Sequence, residues 1–228
     1  MDRSSNFHHL LIIILIPAVS FFCFSCISLR SGMEGKVVSA PSPHSQQVPV
    51  TVFFHFTHLE KENGFDVVPK IVQPRRGFRD LFRESMKGLS NVKSFTSFTD
   101  NDNDIDKFDR RTLRDSLKMS SDITIHLTFR KENSFPKHAL ASIVSYGTAA
   151  IVPMGYGWDY IVTADVYSHS GAKISSYNRT SSLTTWYQVL LLFVYPFFPS
   201  EAKIEEIYLE SMQDIFAQIE SEGVLSVR

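Results

Sequence analysis

Beyond residue 26 the 228-residue chain has no cysteine; its two thiols, Cys23 and Cys26, both lie near the start. A disulfide framework and thiol catalysis are therefore excluded for everything downstream. An excess of charge is also lacking. The 23 Lys and Arg stand against 24 Asp and Glu, a formal net charge of −1. Such a chain has no electrostatic reason to seek nucleic acid, and its basic residues form no stripe. There is no G-x-S-x-G, H-E-x-x-H, phosphate-binding Walker loop or G-x-G-x-x-G, so the motifs that mark common enzyme classes are missing. What is present is apolar bulk: 43% hydrophobic residues, 19 of the 228 being Phe. That suffices for one domain with a real core.

The N-terminus is the most legible part. Met1 to His9 is polar, with Arg3 its one permanent positive side chain, and an apolar run from Leu10 to Phe24 follows. Fifteen residues of helix reach roughly 22 Å, short of a ~30 Å hydrocarbon core. Export signals have this length. The segment ending "FFCFSC" resembles bacterial lipoprotein signals, in which a small residue precedes the cysteine that is acylated. Cys26 follows Ser25, which is small; Cys23 follows Phe22, which is not, and occupies the place usually held by Leu. The pattern is similar to the looser lipobox of spirochaete lipoproteins. The resemblance implies a signal peptide over 1–25 and lipid attachment, palmitate included, at Cys26. A plain secretory signal or an uncleaved anchor is the competing reading. Residue 27 is Ile rather than an inner-membrane-retaining Asp, so the expected address is the outer membrane of a bacterial envelope, with the inner membrane as the alternative. Residues 26–47, rich in Ser, Gly, Pro and Gln, read as a flexible tether.

The domain is expected over 48–228. "VPVTVFFHF", Val48 to Phe56, reads as a first strand. In "GFRDLFRESMKGLS" the residues Phe78, Leu81, Phe82, Met86 and Leu89 recur at helical spacing. Val92 to Thr99 reads as a strand, and "DKFDRRTLRDSLKMSS" as a second amphipathic helix built on Phe108, Leu113 and Leu117. Asp122 to Arg130 alternates, with Ile123, Ile125, Leu127 and Phe129 on one side. "DYIVTADVYSHSGAKISSYNRTSS" predicts a hairpin turning at Ser168 to Ala172. A last helix is predicted from Glu201 to about Glu222, on the stripe Ile204, Ile207, Tyr208, Met212 (with Ser211 beside it), Ile215, Phe216 and Ile219, closed by Gly223. This order predicts an α/β fold: a two-layer sandwich, with a mixed, mostly antiparallel sheet and helices on one face.

The strand "SDITIHLTF", the hairpin "YIVTADVYSHSGAKISSY" and the closing helix together resemble the TolB amino-terminal, CsgG and transport-auxiliary lipoprotein type of envelope protein. The likeness covers roughly Val50 to Leu225. It implies a periplasmic, lipid-anchored assembly or partner-binding role without catalysis, and no cofactor.

Two uncharged runs flank the hairpin, 139–157 and 186–199, and its geometry should bring them side by side at one end of the sheet. Neither suits a span: the first holds Gly147 and Pro153, and the second is cut at Pro196. They pack as core, cross a bilayer after oligomerisation, or form an apolar patch facing the membrane or a protein partner. Tyr156, Trp158, Trp186, Tyr187, Leu191, Phe193 and Tyr195 are the candidate residues of that patch.

Metal and catalytic readings fare poorly. Asp100, Asp102 and Asp104 mimic the start of a calcium loop, but Ile105 stands where Gly is needed and Arg111 where Glu belongs. His55 and His58, three apart on a strand, send their rings to opposite faces, so no metal is expected there and both read as surface histidines. His126 stands alone on the polar face of its strand. "NRT" at Asn178 is a glycosylation acceptor only in a eukaryotic source. The expected protein is a non-enzymatic envelope lipoprotein. A surface adhesin for host or partner is the alternative; a small secreted hydrolase would require His55, His58, His126 and an acidic residue to meet in one pocket.

Overall fold

A computed structural model describes residues 26–32, 48–61, 68–102, 104, 107–133, 135–148, 151–187 and 200–225. The elements, in chain order, are β1 (Cys26–Arg30), β2 (Val50–Lys61), β3 (Lys70–Ile71), α1 (Phe78–Ser85), β4 (Val92–Thr99), α2 (Phe108–Met119), β5 (Ile123–Asn133), α3 (Phe135–Gly147), β6 (Met154–Ser168), β7 (Lys173–Tyr187) and α4 (Ser200–Ser221). They build a mixed α/β fold around one seven-stranded open sheet, ordered β1-β7-β6-β5-β2-β3, with β4 also paired to β2. β2 is parallel to β4 and to β5; the other pairings are antiparallel.

The strands form where apolar residues alternate, and the phase decides the face. In β2 Val52, Phe54, Phe56 and His58 point to one side, together with Ile123, Ile125, Leu127 and Phe129 of β5 and Tyr160, Val162, Ala164 and Val166 of β6. α1 and α4 cover this face. The stripe of α4, with Ser211 included, is buried along its whole length, as its spacing predicts. Gly223 ends the helix at φ 63°, with Gly223 N–H donating to Glu220 O and Val224 N–H to Ile219 O, the two bonds of a Schellman cap. Phe54 sits at the middle of the core, edge-on to Phe82 at 4.9 Å, Phe216 at 5.9 Å and Phe95 at 6.0 Å. Burying Phe54, Phe82 and Phe216 contributes ~1.5–3 kcal/mol each, whereas Phe95 is partly exposed at the rim.

Two expectations need correction. The tether expected from residue 26 opens instead with a strand: β1 lies antiparallel to the edge of β7, Cys26 opposite Tyr187 and Arg30 opposite Leu183. Its pattern is inverted, which is why composition hid it. Ser28 is buried and bonded to the Thr185 hydroxyl at 3.0 Å, while Leu29 on the other face is 51% exposed. Arg30 reaches to Glu210 at 2.5 Å and Glu206 at 3.5 Å, tying β1 to α4. The second correction concerns α2. Its apolar stripe does not enter the core: Phe108 is 79% exposed, and no residue of this helix is buried. α2 crosses the open face of the sheet, held by Arg110, which donates to Thr99 O at 2.8 Å and lies 4.7 Å from the Phe98 ring centre.

Candidate functional site

Among the described residues, two places carry chemistry beyond packing. The first is the open face of the sheet. Register puts Phe98 of β4, His55 of β2, His126 of β5, Asp165 of β6 and Ser176 of β7 in one row across five strands. Side chains paired this way on neighbouring strands stand within reach of each other. The His55 and His126 rings stack with centres 4.4 Å apart and planes 12° from parallel. Asp100, just past the end of β4, turns its carboxylate onto them: Oδ1 meets His55 Nε2 at 2.8 Å, and Oδ2 accepts the Thr57 hydroxyl at 2.6 Å. The same hydroxyl lies 2.9 Å from His126 Nε2. Because Thr57 has given its one proton to Asp100, it accepts from His126, so the network assigns the proton of each imidazole to Nε2.

Burial shapes the charges here. His126 is pushed below its ordinary range by burial first and by the neighbouring His55 second, against Asp100 and Asp165. For Asp100 burial works upward, but the donors His55 and Thr57 outweigh it and hold the carboxyl below its usual value. Lys173 at 2.8 Å and the Ser176 hydroxyl at 2.5 Å satisfy Asp165 at the end of the row. Arg114, Asp115 and Lys118 of α2 form the opposite wall of a cleft of about 350 Å³ whose floor includes the half-buried His55 and His126.

His126 is therefore not alone, and neither His55 nor His58 is a plain surface residue. His55 and His58 do face opposite sides of the sheet. His58 is 4% exposed, stacked on Phe129 at 4.7 Å and edge-on to Phe78, and its Nε2 has no hydrogen-bond partner among the described residues. Burial pushes it down to about 4. The pocket required by the hydrolase reading thus gains two of its three histidines and an acid, Asp100, while His58 lies in the core. Asp100 and Thr57 were missed as partners of the histidines. The signal was the odd phase shared by His55 and Thr57 in β2, opposite to the apolar phase. Asp104, a later ligand in the rejected calcium reading, binds Arg110 and the Asn101 backbone amide.

The second place is the end of the sheet where β6 begins and β7 finishes. Met154 pairs with Tyr187 and Gly155 with Trp186, so Tyr156, Trp158 and Trp186 share one end. Their side chains do not share one face. Trp158 pairs with Leu183 on the core side, partly buried, with the Lys131 ammonium 4.1 Å from its ring centre. Tyr156 lies on that side too, donating to Ser142 at 3.2 Å. Trp186 lies on the open face against Gly155, 37% exposed. For Tyr187 the backbone alone is described, and Leu191, Phe193 and Tyr195 lie outside the described residues, as does the run 188–199.

α3, absent from the expected element order, covers the core side of this end through His138, which contacts Gly157 O at 2.8 Å and the Trp158 ring. This helix is inside-out. Ala141, Ser142 and His138 face inward, while Leu140 (61% exposed), Ile143 (71%) and Tyr146 (88%) face outward. Ile151 and Val152, just beyond it, are exposed as well. Among the described residues nothing packs on this outward apolar face of α3. Among the described residues no helix is long and apolar enough to cross a membrane.

No family model matches the chain, and no curated protein matches it. Among solved structures, a dodecamer of a PelC variant with one Leu-to-Met substitution, from Paraburkholderia phytofirmans, aligns over 84% of this chain and 99% of its own, at 7% identity and a TM-score of 0.30. A second PelC dodecamer from the same organism aligns over 83% and 96%, at 6% identity and a TM-score of 0.29. Likeness at this level carries no argument about fold or function.

Proposed function

We propose that the protein is a lipid-anchored lipoprotein of the bacterial cell envelope, at the outer membrane, with a non-catalytic assembly or partner-binding role. The observation that carries this reading is the row Cys26–Tyr187–Met154 across β1, β7 and β6. The residue whose context resembles a lipidation site thus borders the end of the sheet where α3 turns its apolar side outward. A domain tied to a bilayer by acyl chains gains effective concentration there, so a modest apolar surface adds to the binding. The resemblance of the hairpin and closing helix to TolB, CsgG and transport-auxiliary lipoproteins supports the same reading.

Labelling with a radioactive or clickable fatty acid tests the anchor. Cys26→Ala should abolish incorporation and leave unprocessed precursor, whereas Cys23→Ala should leave both unchanged; labelling retained in Cys26→Ala overturns the assignment. Cross-linking and co-purification from detergent-solubilised membranes then test the assembly role. A defined envelope partner lost on Leu140→Asp with Ile143→Asp supports it, and a chain recovered alone at every cross-linker length argues against it.

A further inference from the structure

We propose that His55, Asp100 and His126 form a binding site for one divalent transition-metal ion of the zinc class. Two imidazole nitrogens and one carboxylate oxygen are a donor set that suits such borderline ions. Here they come from three separate segments, β2, the end of β4 and β5, and their ligand atoms all lie within 4.8 Å of one another. Around an ion bonded at ~2.0–2.2 Å, tetrahedral ligand atoms stand ~3.3–3.6 Å apart. The His55–Asp100 separation of 2.8 Å is that of a hydrogen bond and would widen by under ~1 Å, while a pair at the 4.8 Å limit would close by at most ~1.5 Å.

The surroundings fit a held site. Both histidine rings are kept in place by the sheet, stacked on each other and, for His55, beside Phe53 and Phe98. Thr57 fixes the second carboxylate oxygen of Asp100 at 2.6 Å, the kind of outer contact that orients a metal-bound carboxylate. On binding, each imidazole turns its Nε2 lone pair to the ion and carries its proton on Nδ1; the Thr57 hydroxyl loses a donor and keeps Asp100. The site opens onto the cleft under α2, which supplies an entry path and room for a water as fourth ligand. The cleft wall opposite is not purely cationic, since Arg114 is paired with Asp115 at 3.1 Å. The ion would tie β4 to β2 and β5 across the open face.

The test uses the untagged full chain, purified in detergent and stripped with a chelator. Titration with Co²⁺ should raise the visible ligand-field absorption of a four- or five-coordinate site, saturating at one equivalent and abolished by Zn²⁺. His126→Gln, His55→Gln and Asp100→Asn should each weaken Co²⁺ binding at least ~100-fold, because losing even an outer partner costs ~10–100-fold. Should a variant fail to fold, the wild-type chain still decides. Zn²⁺ should protect His55 and His126 from diethylpyrocarbonate, read by mass spectrometry, and leave His138 and His169 as reactive as before. A flat Co²⁺ titration, or equal modification of His55 and His126 with and without Zn²⁺, overturns the proposal.

Discussion

His58 stacks face to face on Phe129, one strand away, with ring centres 4.7 Å apart and planes 9° from parallel. An imidazole used as an aromatic core residue must stay neutral, and this decides how the protein responds to acid. His58 titrates at about 4 when folded, against its ordinary value of 6.5. Between those values the unfolded chain binds the additional proton, so stability rises with pH across that window. The contribution of His58 is complete above pH ~6.5 and is lost as pH falls toward ~4, by roughly 3 kcal/mol. His126, also lowered, acts in the same direction. Melting temperatures recorded from pH 7.5 to 4 should therefore fall steadily below pH ~6.5.

His58→Phe should flatten much of that acid arm. The ring keeps its stacking on Phe129, the unpartnered Nε2 disappears, and a neighbouring cavity of about 140 Å³ lined by His58, Tyr160 and Tyr208 gives room for adjustment. At pH 7 the variant should be as stable as the parent or more so by ~1 kcal/mol. A pH profile parallel to that of the parent would show that the slope arises elsewhere.

Phe216→Ala removes a fully buried ring of α4 that lies edge-on to Phe54 and Phe82. The expected cost is ~3–5 kcal/mol by chemical denaturation. Phe108→Ala on α2, at 79% exposure, should cost under ~0.5 kcal/mol, although both positions read alike as helical apolar residues.

Gly155 is required by contact rather than by backbone freedom. A Cβ there would lie 2.9 Å from Thr184 Cγ2 and 3.3 Å from the Trp186 ring. Thr184 is β-branched and within a strand, so it yields poorly. Gly155→Ala should cost ~1–3 kcal/mol and shift Trp186 fluorescence to the red as the indole is displaced into water.

Arg30→Ala cuts the link from β1 to Glu206 and Glu210. Both carboxylates are more than a third exposed, so the global loss should be ~0–1 kcal/mol. The local effect is larger: amide exchange of Ser28 to Arg30 should accelerate relative to β6 and β7. Unchanged exchange would mean that the β1–β7 ladder alone holds the strand.

Much of the fold was legible because periodicity and burial coincide. The α4 stripe from Ile204 to Ile219 and the alternation of Ile123, Ile125, Leu127 and Phe129 in β5 were readable residue by residue, and Gly171, at φ 82°, turns the hairpin where "HSG" indicated. Legibility failed where that link is reversed. β1 buries serine and exposes leucine; α3 turns Leu140 and Ile143 outward; α2 has the pattern of a core helix with no core beneath it. The histidine cluster was hidden for another reason. Its phase within β2 and β5 is visible in the sequence, but the parallel adjacency of those strands, with α2 and β4 between them in the chain, is a tertiary fact that no local spacing records.

The β1 strand also bears on leverage. With acyl chains on Cys26, the bilayer attachment would coincide with the first hydrogen-bonded residue of the sheet, leaving no slack between them. The domain would then be mounted like a blade on its hilt rather than like a ball on a string. Its tilt would be set by the sheet edge, and any pull along the strands would pass from the membrane straight into the β1–β7 ladder. At ~3.3 Å per residue, Ser176 and the rest of the His55–His126 row would then stand roughly 35 Å along the strands from that mount.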